Sequence, residues 1–194
     1  MYKLCKTEQS AKRQREIEQV LFDFLKTKSY EDITITELCQ KLNMPRKAFY
    51  RYFDSKDGAL SALIEHKMLE YEGFSVKAEK EKRTIKNEIE MFFLFWYNNK
   101  ELLDVLDRNA LIARLFDSAV NFPIKDFVSV SKYLPNDSDW AKTRIFRFAV
   151  CGLMFEAIYW YKEGFKTDVS DIADICCRML SQPLFPNLDK FGNI

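Results

Sequence analysis

Arg46, Lys47, Tyr50 and Arg51 fall within one short stretch, Pro45 to Phe53. On a helical wheel of about 100° per residue these four lie on one half, and Ala48, Phe49, Tyr52 and Phe53 lie on the other. One half carries three cations and a phenol, the groups that neutralise phosphates and donate to base edges. The other half is an apolar wedge for a small core. The chemistry offered is recognition of a polyanion.

The elements around this stretch are suited to positioning it. Thr34 reads as an N-cap and Glu37, three residues on, completes a capping box. Ile35, Leu38, Cys39 and Leu42 follow at helical spacing. Asn43 tolerates the left-handed conformation that stops a helix, and Pro45 suits the first turn of the next one. Two helices joined so tightly make a helix-turn-helix pattern. Ser55 reads as the cap of a further helix with Lys56 at its start. A cation there opposes the helix dipole, so the position predicts a phosphate docked on that N-terminus. Upstream, Ile17, Val20, Leu21, Phe24 and Leu25 predict a first helix over 10–28, with Phe24, Leu38, Phe49 and Phe53 as the inside of a three-helix bundle. For Lys12, Arg13 and Arg15, phosphate contact and plain surface remain equal alternatives.

The runs Thr34-Ile35-Thr36-Glu37-Leu38 and Phe49-Tyr50-Arg51-Tyr52-Phe53-Asp54-Ser55-Lys56-Asp57 resemble the TetR family of bacterial transcription regulators. The resemblance spans about 50 residues. It implies an all-α chain with a helix-turn-helix DNA-binding domain at 10–56, a linker helix at about 55–80, and a C-terminal bundle at 84–181 for dimerisation and ligand sensing. It further implies a homodimer on a palindromic operator in double-stranded DNA, repressing until a small-molecule effector releases it. Arg46, Lys47, Tyr50 and Arg51 would then read bases or position the helix, and Thr34, Tyr52 and Lys56 would hold phosphates. Tyr52 is the conflict: the wheel puts it on the packing half, so its ring is expected inward and its hydroxyl outward. Pro45 and Arg46-Lys47-Ala48 depart from the family's usual Ser and Lys-Gly-Thr, so the operator sequence does not carry over.

Composition narrows the alternatives. The 194 residues carry a net charge of +1, with 12 Lys and Arg against 8 Asp and Glu through Lys56 and 18 against 21 beyond it. A basic first part suits nucleic acid at one end only. Five cysteines form no C-x-x-C pair and there is one histidine, His66. That pattern predicts buried or free thiols in a reducing cytoplasm and no structural metal; a redox switch is the other reading. The apolar run Phe148 to Tyr161 is too short for a bilayer and holds Glu156. The charged N-terminus shows no signal-peptide pattern, and a cytoplasmic protein is expected. No nucleophile elbow, P-loop or dinucleotide fingerprint is present, so neither enzyme activity nor a cofactor is expected.

Beyond the linker helix, the periodicity predicts helices over 86–98, 100–116, 124–134, from Asp137 or Asp139 to about 163, and 169–180. The first of these is apolar nearly all round. The second is expected to face inward with Leu102, Leu103, Leu106, Ala110 and Ala113, with Leu111 a further candidate. The long helix has two apolar faces: Phe146, Ala149, Val150, Leu153, Ala157, Trp160 and Tyr161 on one, Phe148, Cys151, Gly152, Phe155 and Tyr159 on the other. One face can pack within the domain and the other on a second subunit. Ile172, Ile175, Cys176 and Met179 form the stripe of the last helix. Phe92, Phe95, Trp96, Phe116, Phe148 and Tyr159 either line a cavity for an apolar effector or are plain core. Glu156 is expected either to pair with Arg114, Arg144 or Arg147 or to meet a cationic ligand. The alternative to a sensor is a ligandless co-regulator whose C-terminal domain binds another protein.

Overall fold

The computed structural model describes residues 2, 5, 7–77, 84–121 and 136–181, without the side chains of 72–77 and 119–121. The helix expected over 124–134, the tail after 181, and Lys3 and Lys6 lie outside these. The chain is all-α: the described residues hold helices and one isolated bridge between Tyr2 and Phe53, with no strand. None of these helices is long and apolar enough to cross a membrane. Two compact units form, Met1–Glu72 with Glu101–Phe122, and Gly73–Lys100 with Pro123–Ile194.

In the first unit, α1 (Glu8–Leu25) starts at Thr7, whose hydroxyl accepts from the Ser10 N–H at 3.2 Å. Ile17, Leu21 and Leu25 bury its apolar stripe. Phe24, expected inside, is only half-buried and carries the Lys28 ammonium 5.4 Å from its ring centroid; Leu25 takes the interior place. The short helices α2 (Ile35–Lys41) and α3 (Arg46–Phe49) follow, then α4 (Lys56–Lys77), which begins where Ser55 Oγ accepts from the Gly58 N–H at 3.0 Å. Ala59, Leu60, Ala62, Leu63 and Ile64 make the buried side of α4.

The helix expected over 100–116 is two helices, α6 (Lys100–Arg108) and α7 (Arg114–Asn121). The break has a local cause. Ala110 is left-handed (φ 56°), and the Leu111 N–H turns back to the Leu106 carbonyl at 2.7 Å, the closing bond of a Schellman-type stop. Ala110 and Ala113 therefore face out, while Leu102, Leu103, Val105, Leu106, Leu111 and Leu115 are buried. These two helices pack with the N-terminal unit, so the compact units do not follow a simple boundary at residue 84.

The second unit holds α5 (Ile85–Asn98), α8 (Asp139–Lys162) and α9 (Val169–Ser181). Ser138 caps α8, accepting from the Ala141 N–H at 3.2 Å, in place of the expected Asp137 or Asp139. The α5 side chains Ile89, Phe92, Phe93, Phe95 and Trp96 are buried, whereas Leu94 and Tyr97 are exposed, so the helix is covered on most of its surface and not all round. Phe93 meets Trp160 edge-on at 5.8 Å. Beyond α8, left-handed Gly164 (φ 76°) and Phe165 (φ 59°) reverse the chain, Phe165 stacks edge-on against Trp160 at 4.7 Å, and the indole N–H donates to the Thr167 carbonyl at 2.9 Å. Lys86 on α5 pairs with Asp174 on α9 at 2.6 Å. Ile175 and Met179, expected on the inner stripe of α9, face out; Ile172, Ala173 and Cys176 form it.

Candidate nucleic-acid interface

The short helix α3 is preceded by an equally well-fixed α2. Thr34 accepts from the Glu37 N–H at 3.2 Å while the Thr34 N–H donates to the Glu37 carboxylate at 3.0 Å, a complete capping box. The Thr34 hydroxyl also donates to that carboxylate at 2.9 Å, and Lys28 pairs with it at 2.5 Å. Hydrogen bonds from Lys28 first, then from Thr34, pull the Glu37 carboxyl down to about 2. The turn bends at Asn43 (φ 48°), as its residue type predicts. Arg13 on α1 donates to the Leu42 carbonyl at 3.0 Å and pairs with Glu16 at 2.7 Å, fixing the end of α2 against α1.

Pro45 stands as the N-cap residue of α3, and its carbonyl accepts from the Ala48 N–H at 2.8 Å. α3 is anchored by buried Ala48 and Phe49, and Phe49 meets Phe53 with ring centroids 5.4 Å apart. Arg46, Lys47, Tyr50 and Arg51 all point to solvent. The Arg46 guanidinium donates to the Tyr50 hydroxyl at 3.4 Å, so cation and phenol lie side by side on the exposed face. Tyr52 is half-buried with its ring against Phe53, at the edge between the two halves.

Lys56 is placed differently from the expectation. Its ammonium donates to the Tyr30 carbonyl at 2.5 Å and to the Ile33 carbonyl at 2.8 Å, with Glu31 at 3.4 Å, and lies 4.2 Å from the Tyr30 ring centroid. A cation that opposes the helix dipole is thus explained by carbonyls from the α1–α2 connection, with no phosphate required. Tyr30 is a hub: its hydroxyl donates to Asp57 at 2.6 Å and its N–H to Asn109 at 2.7 Å. Arg114, expected near Glu156, pairs with Asp57 at 3.3 Å instead. Arg144 lies over Trp140, and Glu156 itself is half-buried, not sealed.

The aromatic set expected to line a cavity is divided between the two units and between buried and exposed positions. Phe92, Phe95 and Trp96 are packed core of the second unit, Phe116 belongs to the first unit, and Phe148 and Tyr159 are 74% and 53% exposed. Among the described residues no group of His, Cys, Asp or Glu is placed to hold a metal ion. Two polar clusters were not foreseen. One is the Tyr30–Asn109–Asp57–Arg114 network, which joins segments too far apart for spacing to reveal. The other is Glu18 with His66. Its signal was available: Glu18 interrupts the apolar stripe of α1 between Ile17 and Leu21.

The architecture, a helix-turn-helix in an all-α chain with a separate bundle, is the fold of the TetR-type regulators. Solved structures that share it include the following. A fatty acid degradation regulator, FadR from Bacillus halodurans, superimposes with a TM-score of 0.58 at 13% identity, over 93% of this chain and 98% of that one. A tetR-family transcriptional regulator from Streptomyces coelicolor gives 0.54 at 14% identity, over 88% and 79%. The dihydroxyacetone kinase operon activator DhaS gives 0.51 at 17% identity, over 86% and 93%. No family model and no curated protein matches the sequence.

Proposed function

We propose that this chain is a sequence-specific DNA-binding transcriptional regulator that acts as a homodimeric repressor. The observation that carries the reading is α3: Arg46, Lys47, Tyr50 and Arg51 outward, Phe49 and Phe53 sealed beneath. That arrangement presents donors and cations to a major groove from a fixed seat. The second copy is expected on α8 and α9. Ile145, Phe148, Phe155 and Tyr159 on α8 and Ile175, Met179 and Leu180 on α9 are large apolar side chains left exposed, as a face that meets a partner would leave them. Gly152 sits on the same side of α8 with nothing within 4 Å of an added Cβ, room for a closely approaching helix. A twofold pair would read a palindrome.

The test is selection of bound sequences from random duplex DNA at a stated salt concentration, followed by retardation of the selected site. A palindromic consensus supports the reading; uniform binding to all duplexes refutes sequence specificity. Light scattering should give the mass of a dimer, and Phe148→Glu with Phe155→Glu should give a monomer that binds the half-site more weakly.

A second reading is favoured by the aromatic residues. Phe92, Phe95 and Trp96 are buried, and Phe148, Phe155 and Tyr159 on α8 are exposed, as a ligandless co-regulator that binds another protein would have them. The fold neighbour DhaS is described as an operon activator. Ligand-induced stabilisation in a thermal-shift screen, reproduced as loss of DNA binding, would select the sensor over the co-regulator.

A further inference from the structure

Glu18 lies on the buried face of α1 and is 2% exposed. Its Oε2 is 2.8 Å from Nδ1 of His66 on α4, and its Oε1, equally buried, meets no hydrogen-bond partner. Tyr2 reaches the same place. The Tyr2 ring stands edge-on to the His66 imidazole at 5.5 Å, the Tyr2 hydroxyl donates to Glu65 on α4 at 2.7 Å, and Tyr2 bridges to the backbone of Phe53. The charged neighbours are Arg15 on α1, 3.4 Å from Oε2, and Glu65 and Glu70 on α4. Buried Gln14 on α1 accepts from the Cys5 thiol of the arm at 3.2 Å.

A carboxyl and an imidazole this close hold one proton between them. Whether it rests on Oε2 or on Nδ1, the pair is neutral overall and the hydrogen bond is made. Loss of the proton leaves a buried carboxylate whose Oε2 keeps Arg15 and the Nδ1–H tautomer of His66 as partners, while Oε1 lacks a donor and two further carboxylates lie on α4 nearby. Burying such a charge is costly. Burial pushes the Glu18 carboxyl up to about 8; Arg15 acts against the shift and Glu70 adds to it. The two groups titrate as a pair.

We propose that Glu18 and His66 form a proton-operated clasp that joins α1 to α4 beneath the N-terminal arm and loosens when its proton leaves. Tyr2 links the clasp to α3: its ring meets His66, its backbone bridges to Phe53, and Phe53 backs Phe49 under α3. Loosening it frees the seat of the reading helix. The regulatory consequence, weaker DNA binding in alkaline conditions, rests on the reading of α3 given above.

His66 is the single histidine of the chain, so its ring gives one set of nitrogen resonances. In the full-length protein with labelled histidine, both ring nitrogens should shift together in a step near pH 8, the position set by Glu18. The step should vanish in Glu18→Gln, whose carboxamide donates to Nδ1 without titrating. Rings that behave as an ordinary exposed imidazole in both proteins would overturn the clasp. Should the variant not fold, wild type labelled at both carboxyl and imidazole decides: a step near pH 8 in either group of the pair supports the clasp, and a step in neither refutes it. DNA affinity of wild type should fall about tenfold between pH 6.5 and 9, and that of Glu18→Gln by clearly less; equal falls would refute the regulatory consequence. Absence of DNA binding at every pH would instead strike the reading of α3, and the nitrogen step would still judge the clasp.

Discussion

The Tyr30 backbone N–H donates to the Asn109 side-chain carbonyl at 2.7 Å, across 79 residues of sequence. The Asn109 amide returns two bonds, to the Leu25 carbonyl at 3.2 Å and the Val105 carbonyl at 2.8 Å. One side chain thus ties the end of α6 to the end of α1 and to the connection that leads into α2. Asn109→Ala leaves the Tyr30 N–H and the Leu25 carbonyl without this partner. It should lower unfolding stability by about 2 kcal/mol in a urea titration. Hydrogen exchange at the Tyr30 amide should accelerate by more than at amides of the second unit.

Lys56 and Lys47 are both lysines of the same short region, and they should respond differently to loss of charge. Lys56→Met removes contacts to three carbonyls and should destabilise the fold by about 2 kcal/mol while leaving the salt dependence of DNA binding unchanged. Lys47→Ala or Arg51→Ala should leave stability within about 0.5 kcal/mol. Either should flatten the slope of log affinity against log salt by about 0.9, if each neutralises one phosphate. A flattened slope in Lys56→Met would return that residue to the phosphate role the family pattern gives it.

Ala110 pays for its left-handed φ of 56° with a Cβ that glycine lacks. Ala110→Gly should raise stability by about 1 kcal/mol, measured by chemical denaturation, because the same stop is then made without strain. Ala110→Val should lower it by at least as much, since a branched Cβ is worse in that region.

Stability should fall as pH rises through the window that Glu18 controls. Its folded-state value is raised from 4.5 to about 8. Below the lower value folded and unfolded chains both hold the proton, and the group has no effect. Between the two values the unfolded chain gives it up first, so each step up in pH favours unfolding; above the higher value the loss is complete. In Glu18→Gln the melting temperature should change less between pH 5 and 8.5. The variant should be more stable than wild type at pH 8.5 by about 2 kcal/mol.

Local physics made the helix-turn-helix legible before any coordinates. A capping box, a left-handed Asn43 and the two halves of α3 are short-range features, set by residues three or four apart, and the structure keeps all of them. The gap between α6 and α7 was not legible, because Leu102 to Leu115 keeps helical periodicity across the break and nothing marks Ala110 as a stop; glycine would have. The seat of Lys56 was not legible for a related reason. Its cost to the helix dipole was visible, but the carbonyls of Tyr30, Glu31 and Ile33 that offset it come from a connection more than twenty residues away. The aromatics of α5 and α8 share one composition and separate only by what covers them, so Phe93 and Phe148 look alike in sequence and differ completely in exposure.

The first unit is made of two pieces of chain, Met1–Glu72 and Glu101–Phe122. A ribosome therefore finishes α1 to α3 well before the piece that carries Asn109 has been made, and these helices wait with the Tyr30 N–H and the Leu25 carbonyl uncapped. The same order limits engineering. A graft of residues 1–72 onto a foreign bundle would carry Arg46, Lys47, Tyr50 and Arg51 and leave Asn109 behind, so a stable chimera has to bring α6 and α7 with it.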